Sequence, residues 1–340
     1  MSRPPAPVTF VALAILLRAP SPAVADGRLP PLPDAPWRAV SLGIENDSFT
    51  GDDDGYSSGV GVVVAKGPFR SFAGNVPGPI AAVAGALGID ADDARQRART
   101  YDLAQTLQTP EDITIAAPQP EELPWAASLL AGVTLYAFDE RTSDRFRIAA
   151  GVVGPLALGE ESQKAVHDAI DSDEPEGWDN QLENEPVFLA EATRARRWFA
   201  RGDAGPLGVD SIALGGVGLG NLRTYASASL IVRVGRGLAR SHAVASLLPG
   251  RQVNPTVFSS AFDWYAFGGA QFEYVAKDLM VEGNDFSSSA SAELDRTRTR
   301  FSAGLSGAIG AFGLTFLYAD FPGNDEGDAF GSLNLTWRYR

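Results

Sequence analysis

Near the end of the chain Leu333, Leu335, Trp337 and Tyr339 stand on one side of an extended segment, and Ser332, Asn334, Thr336 and Arg338 stand on the other. Alternation with period two marks a strand whose two faces meet different surroundings. The pattern recurs upstream. Between Phe262 and Tyr274 one face reads Phe262, Trp264, Ala266, Gly268, Ala270, Phe272 and Tyr274, while the other includes Asp263, Gln271 and Glu273. Aromatics at both ends of an outward stripe match girdles at two lipid interfaces, and the polar face matches a wet lumen. Phe301, Ala303 and Leu305 oppose Arg298, Arg300 and Ser302, and Phe312, Leu314, Phe316 and Tyr318 repeat the apolar stripe.

Such runs predict about twelve strands, each of the length a tilted membrane strand needs. They fall near 37–46, 56–66, 99–108, 124–137, 143–154, 186–198, 208–218, 223–236, 260–276, 295–307, 311–320 and 330–340. The expected fold is all-β, an antiparallel transmembrane β-barrel with a short helix in an extracellular loop. A closed barrel satisfies every backbone donor and acceptor in lipid. A soluble β-sandwich is the competing architecture, because one barrel strand carries a weak signal by itself. Two segments depart from the pattern. With both chain ends in the periplasm, 67–98 should be a short turn, yet Pro79-Ile80-Ala81-Ala82 and the charged Asp92 to Arg99 predict a helical insertion. Leu238 to Thr256 predicts a long irregular connection that holds His242.

Composition narrows the setting. Arg3, the apolar Val8 to Leu17 and Ala23-Val24-Ala25 predict a cleaved signal peptide over 1–25, leaving a barrel domain over 26–340. Residues 1–25 contain Arg3 and Arg18 and no acid, so their removal takes the net charge from −14 to −16. The expected location is the outer membrane of a Gram-negative bacterium. A chain without cysteine cannot use a disulfide framework, and none of its later apolar runs reaches the roughly 18 residues of a membrane helix. So acidic a chain argues against nucleic acid as a partner.

Two places could carry chemistry. Glu45-Asn46-Asp47-Ser48 ends the first strand and opens an acidic loop with Asp52, Asp53 and Asp54. Clustered oxygen donors suit a hard cation, although an acidic turn can also be merely solvated. The stretch Gly151 to Pro186 holds a helix-patterned segment, beginning with Glu160 and Glu161, acids that suit a helix N-terminus. Gln163 and His167 lie four apart and share a face; Lys164 and Asp168 are expected to pair on the adjoining face. A histidine there is either a general base or an incidental surface residue. No Gly-x-Ser-x-Gly elbow, Walker loop, paired-histidine zinc motif or dinucleotide fingerprint is present.

These pieces together resemble the lipid A 3'-O-deacylase family of outer-membrane barrels. The resemblance rests on Glu45-Asn46-Asp47 with Gly55-Tyr56-Ser57-Ser58-Gly59-Val60-Gly61, on Gly151-Val152-Val153-Gly154-Pro155 leading to Gln163 and His167, and on Gly177-Trp178-Asp179-Asn180-Gln181-Leu182-Glu183-Asn184-Glu185-Pro186. Gly220-Asn221 with Thr224, Gly283-Asn284-Asp285-Phe286 and Phe330-Gly331-Ser332-Leu333 extend it over nearly the whole chain. The resemblance implies a calcium-dependent hydrolysis of an acyloxyacyl ester of lipopolysaccharide. By position, His167 would be the base, Asn46 and Asp47 would hold Ca2+, and Gln163 and Ser57 would line the pocket. Asp173 would support the histidine, with Asp171 as rival. Many relatives open the fourth strand with Asp-Arg-Pro-Tyr-Ala-Gly, where this chain reads Glu122-Leu123-Pro124-Trp125-Ala126-Ala127. It thereby lacks that arginine, and Lys164 would be the substitute cation for the substrate's phosphates. The competing functions are a family-shaped barrel without catalysis, structural or a narrow pore, and a phospholipase using the same groups.

Overall fold

The structure, a computed structural model, describes residues 31–46, 58–92, 94–201, 207–238, 241, 262–320 and 329–339. Twelve antiparallel strands form the barrel: β1 (Trp37–Asn46), β2 (Ser58–Phe69), β3 (Gln96–Gln108), β4 (Ala126–Phe138), β5 (Thr142–Val153), β6 (Glu185–Arg201), β7 (Gly208–Leu219), β8 (Arg223–Arg236), β9 (Asp263–Asp278), β10 (Thr297–Ile309), β11 (Phe312–Asp320) and β12 (Phe330–Tyr339). Each strand pairs with its sequence neighbours and β1 pairs with β12, which closes the sheet. The expected strands match in order and number. Boundaries shift little, as at β3, which starts at Gln96 rather than at 99.

The alternation now has a spatial meaning. Leu42, Val60, Leu103, Phe188, Leu305 and Leu335 project from the outer wall, each about half exposed. In water that exposure would cost about 25 cal/mol per Å², whereas lipid accepts it. Trp198, Phe262, Phe312 and Trp337 are exposed near the end of the barrel where β1 starts and β12 finishes. By the rule that short turns face the periplasm, the turn at Gly310 and the hairpin at 139–141 mark this end as periplasmic.

The lumen is filled. Near the periplasmic end Arg233 donates to both carboxylate oxygens of Asp210, at 2.9 and 2.6 Å, and Arg197 pairs with the same acid at 3.0 Å. The carbonyls of Leu238 and Ser241 accept from both guanidiniums. Beside them Ile212, Ile231, Tyr265, Phe267, Leu317 and Phe330 form an apolar cluster. Toward the other end Arg147 joins Asp102, at 2.6 Å, to Glu191, at 3.1 Å, and the Tyr225 hydroxyl donates to Glu191 at 2.6 Å. Desolvated charges persist only when paired and hydrogen-bonded, and these are.

The periplasmic connection between β2 and β3 contains helix α1 (Gly78–Ala86). It does not enter the lumen. Phe69, Phe72 and Ala84 pack with Leu135, and with Val133 at the cluster's margin. Val133 lies opposite Tyr101, which lies opposite the exposed Val64, so this is the outward face of the wall.

Candidate functional site

The loop between β5 and β6 runs from 154 to 184 and contains a 3-10 turn (Pro155–Ala157), helix α2 (Gly159–Ile170) and a second 3-10 turn (Trp178–Asn180). It folds down over the outside of the barrel. Register shows this directly: Gln105 lies opposite Leu129 and Leu107 opposite Ala127, on the same face as the exposed Val60 and Leu103. Gln105 Nε2 donates to the carbonyls of Ala157 and Leu158, at 2.6 and 2.9 Å. Around this anchor Leu107, Ile113, Trp125, Ala127, Ala157 and Trp178 make a buried cluster. The two indoles meet edge to face at 5.1 Å, a favoured aromatic geometry.

Two glycines permit the approach. A Cβ on Gly159 would lie 2.4 Å from Ala127 Cβ, and one on Gly177 would lie 2.4 Å from Trp125 Nε1. Both contacts are impossible for any larger residue without displacing the loop. Three main-chain bonds tie the loop down: Gly154 to Ala127, Leu182 to Trp125 and Glu176 to Ile113, each at 2.9 Å.

Helix α2 starts after Leu158 and ends at Asp171, both in the left-handed region, a conformation that aspartate tolerates better than most residues. The amides of Asp171 and Ser172 both donate to the His167 carbonyl. Glu160 and Glu161 sit where the helix dipole favours acids. The inner face carries Gln163, which is buried, and His167, which is half-buried, whereas Val166 and the loop residues Leu156 and Leu158 project outward.

The site residues take distinct places. His167 Nδ1 is 2.6 Å from the Asp173 carbonyl oxygen. A carbonyl only accepts, so Nδ1 is the donor in this bond and Nε2 is left outside it. Asp173 thus supports the histidine through its main chain rather than its exposed carboxylate, while Asp171 serves as the helix stop. Gln163 Oε1 accepts from Trp178 Nε1 at 2.8 Å inside the cluster. Lys164 pairs with Glu160 at 3.0 Å and Glu174 at 3.8 Å, not with Asp168 as expected, because Glu160 lies one turn earlier on the same side. The Glu160 hydrogen bond and the neighbouring acids hold the Lys164 ammonium above its ordinary pKa.

Asn46 ends β1 on the outward face. It stands opposite Ser58, which stands opposite Leu107, which stands opposite Ala127, on which α2 begins. One row across the wall therefore runs from Asn46 to the foot of the helix, over about 15 Å at 4.7–4.9 Å per strand. Asp47, Ser57, the acidic loop 49–55 and His242 lie outside the described residues. The amide oxygen of Asn46 and the carboxylate of Asp47 at a strand end are the hard oxygen donors that calcium takes. Glu45 points the other way, buried in the lumen, where the Ser332 hydroxyl donates to it. Among the described residues no group of three or more His, Cys, Asp or Glu gathers as a metal cage.

Trp125, Trp178 and Gln105 hold the site together, and sequence reasoning gave none of them that task. The signal for Gln105 was present, since it is the one polar residue in the outward stripe Tyr101, Leu103, Gln105, Leu107. Several other family-like residues are architectural. Asn284 bonds the main chain of Glu183 in both directions, at 2.8 and 2.9 Å, and reaches Glu185. Asn221 accepts from the Phe188 amide and donates to the Pro186 carbonyl.

A family model described as outer membrane protein LpxR matches residues 9–339. Among solved structures, LpxR from Salmonella typhimurium is similar at TM-score 0.71 and 16% identity, covering 88% of this chain and 99% of that one. The β domain of the Bordetella autotransporter BrkA follows at TM-score 0.45 and 11% identity, covering 90% of this chain and 98% of that one. No curated protein matches the sequence.

Proposed function

Since this chain belongs to the LpxR family of outer membrane proteins, we propose that it is a lipid A deacylase that hydrolyses an ester-linked acyl chain, the 3'-acyloxyacyl chain, of lipopolysaccharide. The observation that carries this reading is the position of His167 and the hydrogen bond its Nδ1 makes. Its ring sits on a helix folded over the outside of the wall at the extracellular end, with Nδ1 engaged by the Asp173 carbonyl. A substrate dissolved in the outer leaflet reaches that face by lateral diffusion, without entering a lumen closed by Asp210, Arg197, Arg233 and their neighbours. The same closure argues against the narrow pore.

In the reaction His167 Nε2 takes a proton from water as its oxygen attacks the ester carbonyl, then returns it to the departing alkoxide. The products are a carboxylic acid and an alcohol. Asp173 fixes the ring through its carbonyl, and Gln163 fixes the helix through Trp178. Asn46 and Asp47 would hold Ca2+, which when bound supplies positive charge for the oxyanion. Ser57 and Lys164 would meet the substrate's polar head, Lys164 with its charge partly balanced by Glu160 and Glu174. Leu156, Leu158 and Val166, all exposed, meet acyl chains.

The test is mass spectrometry of lipid A from cells with and without the chain. The expected result is loss of one acyloxyacyl mass, abolished by Asp47→Ala and by excess chelator in purified outer membranes. Unaltered lipid A around a correctly assembled barrel would establish the non-catalytic reading. Fatty acid released from glycerophospholipid instead would establish the phospholipase.

A further inference from the structure

We propose a second lipid site, independent of the deacylase reading, where the periplasmic rim of the outer wall binds the phosphate of an anionic glycerophospholipid. Register places Arg38 opposite Lys66 and Lys66 opposite Arg99, so three cations stand side by side across β1, β2 and β3. At strand spacing the row spans about 10 Å. All three share the outward face with the exposed Val64. None of them forms an ion pair with a carboxylate among the described residues, in a chain whose net charge is −14. Arg99 Nε is shut off from solvent without a hydrogen bond, and its guanidinium lies 4.5 Å over the Tyr101 ring. Three adjacent like charges at a low-dielectric boundary repel one another unless an anion lies between them.

The depth of the row identifies that anion. Tyr339 stands opposite Arg38 in the same row, and its ring packs at 5.2 Å on the exposed Trp337. Paired interfacial aromatics mark headgroup level. One step toward the membrane centre the next outward row reads Trp337, Val40, Val64 and Tyr101, which suits acyl chain. The β2–β3 insertion walls the fourth side: Leu135, next in the cationic row, is covered by Phe72 and α1, and Lys66 Nζ donates to Asn75 Oδ1 at 3.0 Å. Val83 and Leu87 of that insertion remain exposed toward the surroundings. Cations at phosphate level below an apolar wall are the chemistry of a headgroup site. The outer-leaflet substrate is excluded by position, since this rim is the opposite end of the barrel from α2.

The test uses the purified full chain in detergent, titrated with phosphatidylglycerol, phosphatidylethanolamine and inorganic phosphate, with native mass spectrometry as readout. Phosphatidylglycerol should be retained preferentially, and its affinity should fall about fivefold for each of Arg38→Gln, Lys66→Gln and Arg99→Gln, the effect of one basic residue at a lipid surface. Arg99→Lys should restore most of the binding, and raised salt should weaken it. If the triple variant does not assemble, Arg38→Gln, at an exposed position, and the salt titration decide the matter. The proposal fails if an assembled triple variant binds like the wild type, if both lipids bind equally at any salt, or if inorganic phosphate competes at equal concentration.

Discussion

The lumen and the outer wall beneath α2 both hold polar groups away from bulk water, and they treat them in opposite ways. In the lumen two charge centres are answered by opposite charge: Asp210 serves two arginines, and Arg147 serves two acids. Within these two centres the charged groups are engaged with one another rather than turned toward a substrate. Beneath α2 the bonds are neutral and serve to position: Gln105 holds the loop, Gln163 holds Trp178, and one carbonyl holds one nitrogen of His167. The other nitrogen makes no hydrogen bond among the described residues. The barrel therefore pairs charges in its interior and puts His167 on its exterior, on the lipid-facing side of the wall.

The largest effect that could break this contrast is at His167. His167→Asn should lower the deacylation rate by about 10² to 10⁴ with unchanged heat-modifiable mobility on gels, whereas His242→Asn should leave the rate within twofold of wild type, by roughly the factor expected away from the chemistry. Equal rates for both variants would place the base elsewhere. Next in size is the lumen. Asp210→Ala strands two buried guanidiniums and should cost about 3–5 kcal/mol of stability, seen as a lower midpoint of thermal unfolding, while the rate per folded molecule stays at the wild-type value. A large loss of rate in the folded fraction would show that lumen and outer wall are coupled.

A smaller effect sharpens the role of the supporting glutamine. Gln163→Leu leaves the buried Trp178 N–H without its acceptor, a loss of about 1–3 kcal/mol confined to the loop. The rate should fall and protease cleavage within 154–184 should rise, while global unfolding is unmoved; unchanged protease resistance would separate Gln163 from loop positioning. Smallest is Lys164→Ala. Its two glutamate pairs are exposed, and exposed pairs contribute about 0–1 kcal/mol, so stability should not change measurably. KM for lipid A should rise by only a few-fold, and a tenfold rise would make Lys164 a principal phosphate ligand.

The one-dimensional pattern was sufficient to determine the barrel: Leu333, Leu335, Trp337 and Tyr339 alternate because each strand has one face in lipid and one in the lumen, and period two survives in sequence. It also determined that the stretch Gly151 to Pro186 would hold a helix bearing His167, since Glu160, Glu161 and the spacing of Gln163 to His167 are local signals. It did not determine where that loop would lie. Its packing against the outside of the wall depends on Gln105, Ala127 and Trp125, residues from two strands that meet the loop only through register, and on Gly159 and Gly177, whose missing side chains matter only once Ala127 and Trp125 are opposite them. Likewise no local signal could say that Asp173 would meet His167 through its main-chain oxygen, because hydrogen-bond choice is made by the path of the backbone after the helix turns at Asp171. Periodicity is a property of each strand alone, and it is written in the sequence. Contact between a loop and a wall is a property of two distant segments brought to one place, and only the closed barrel decides it.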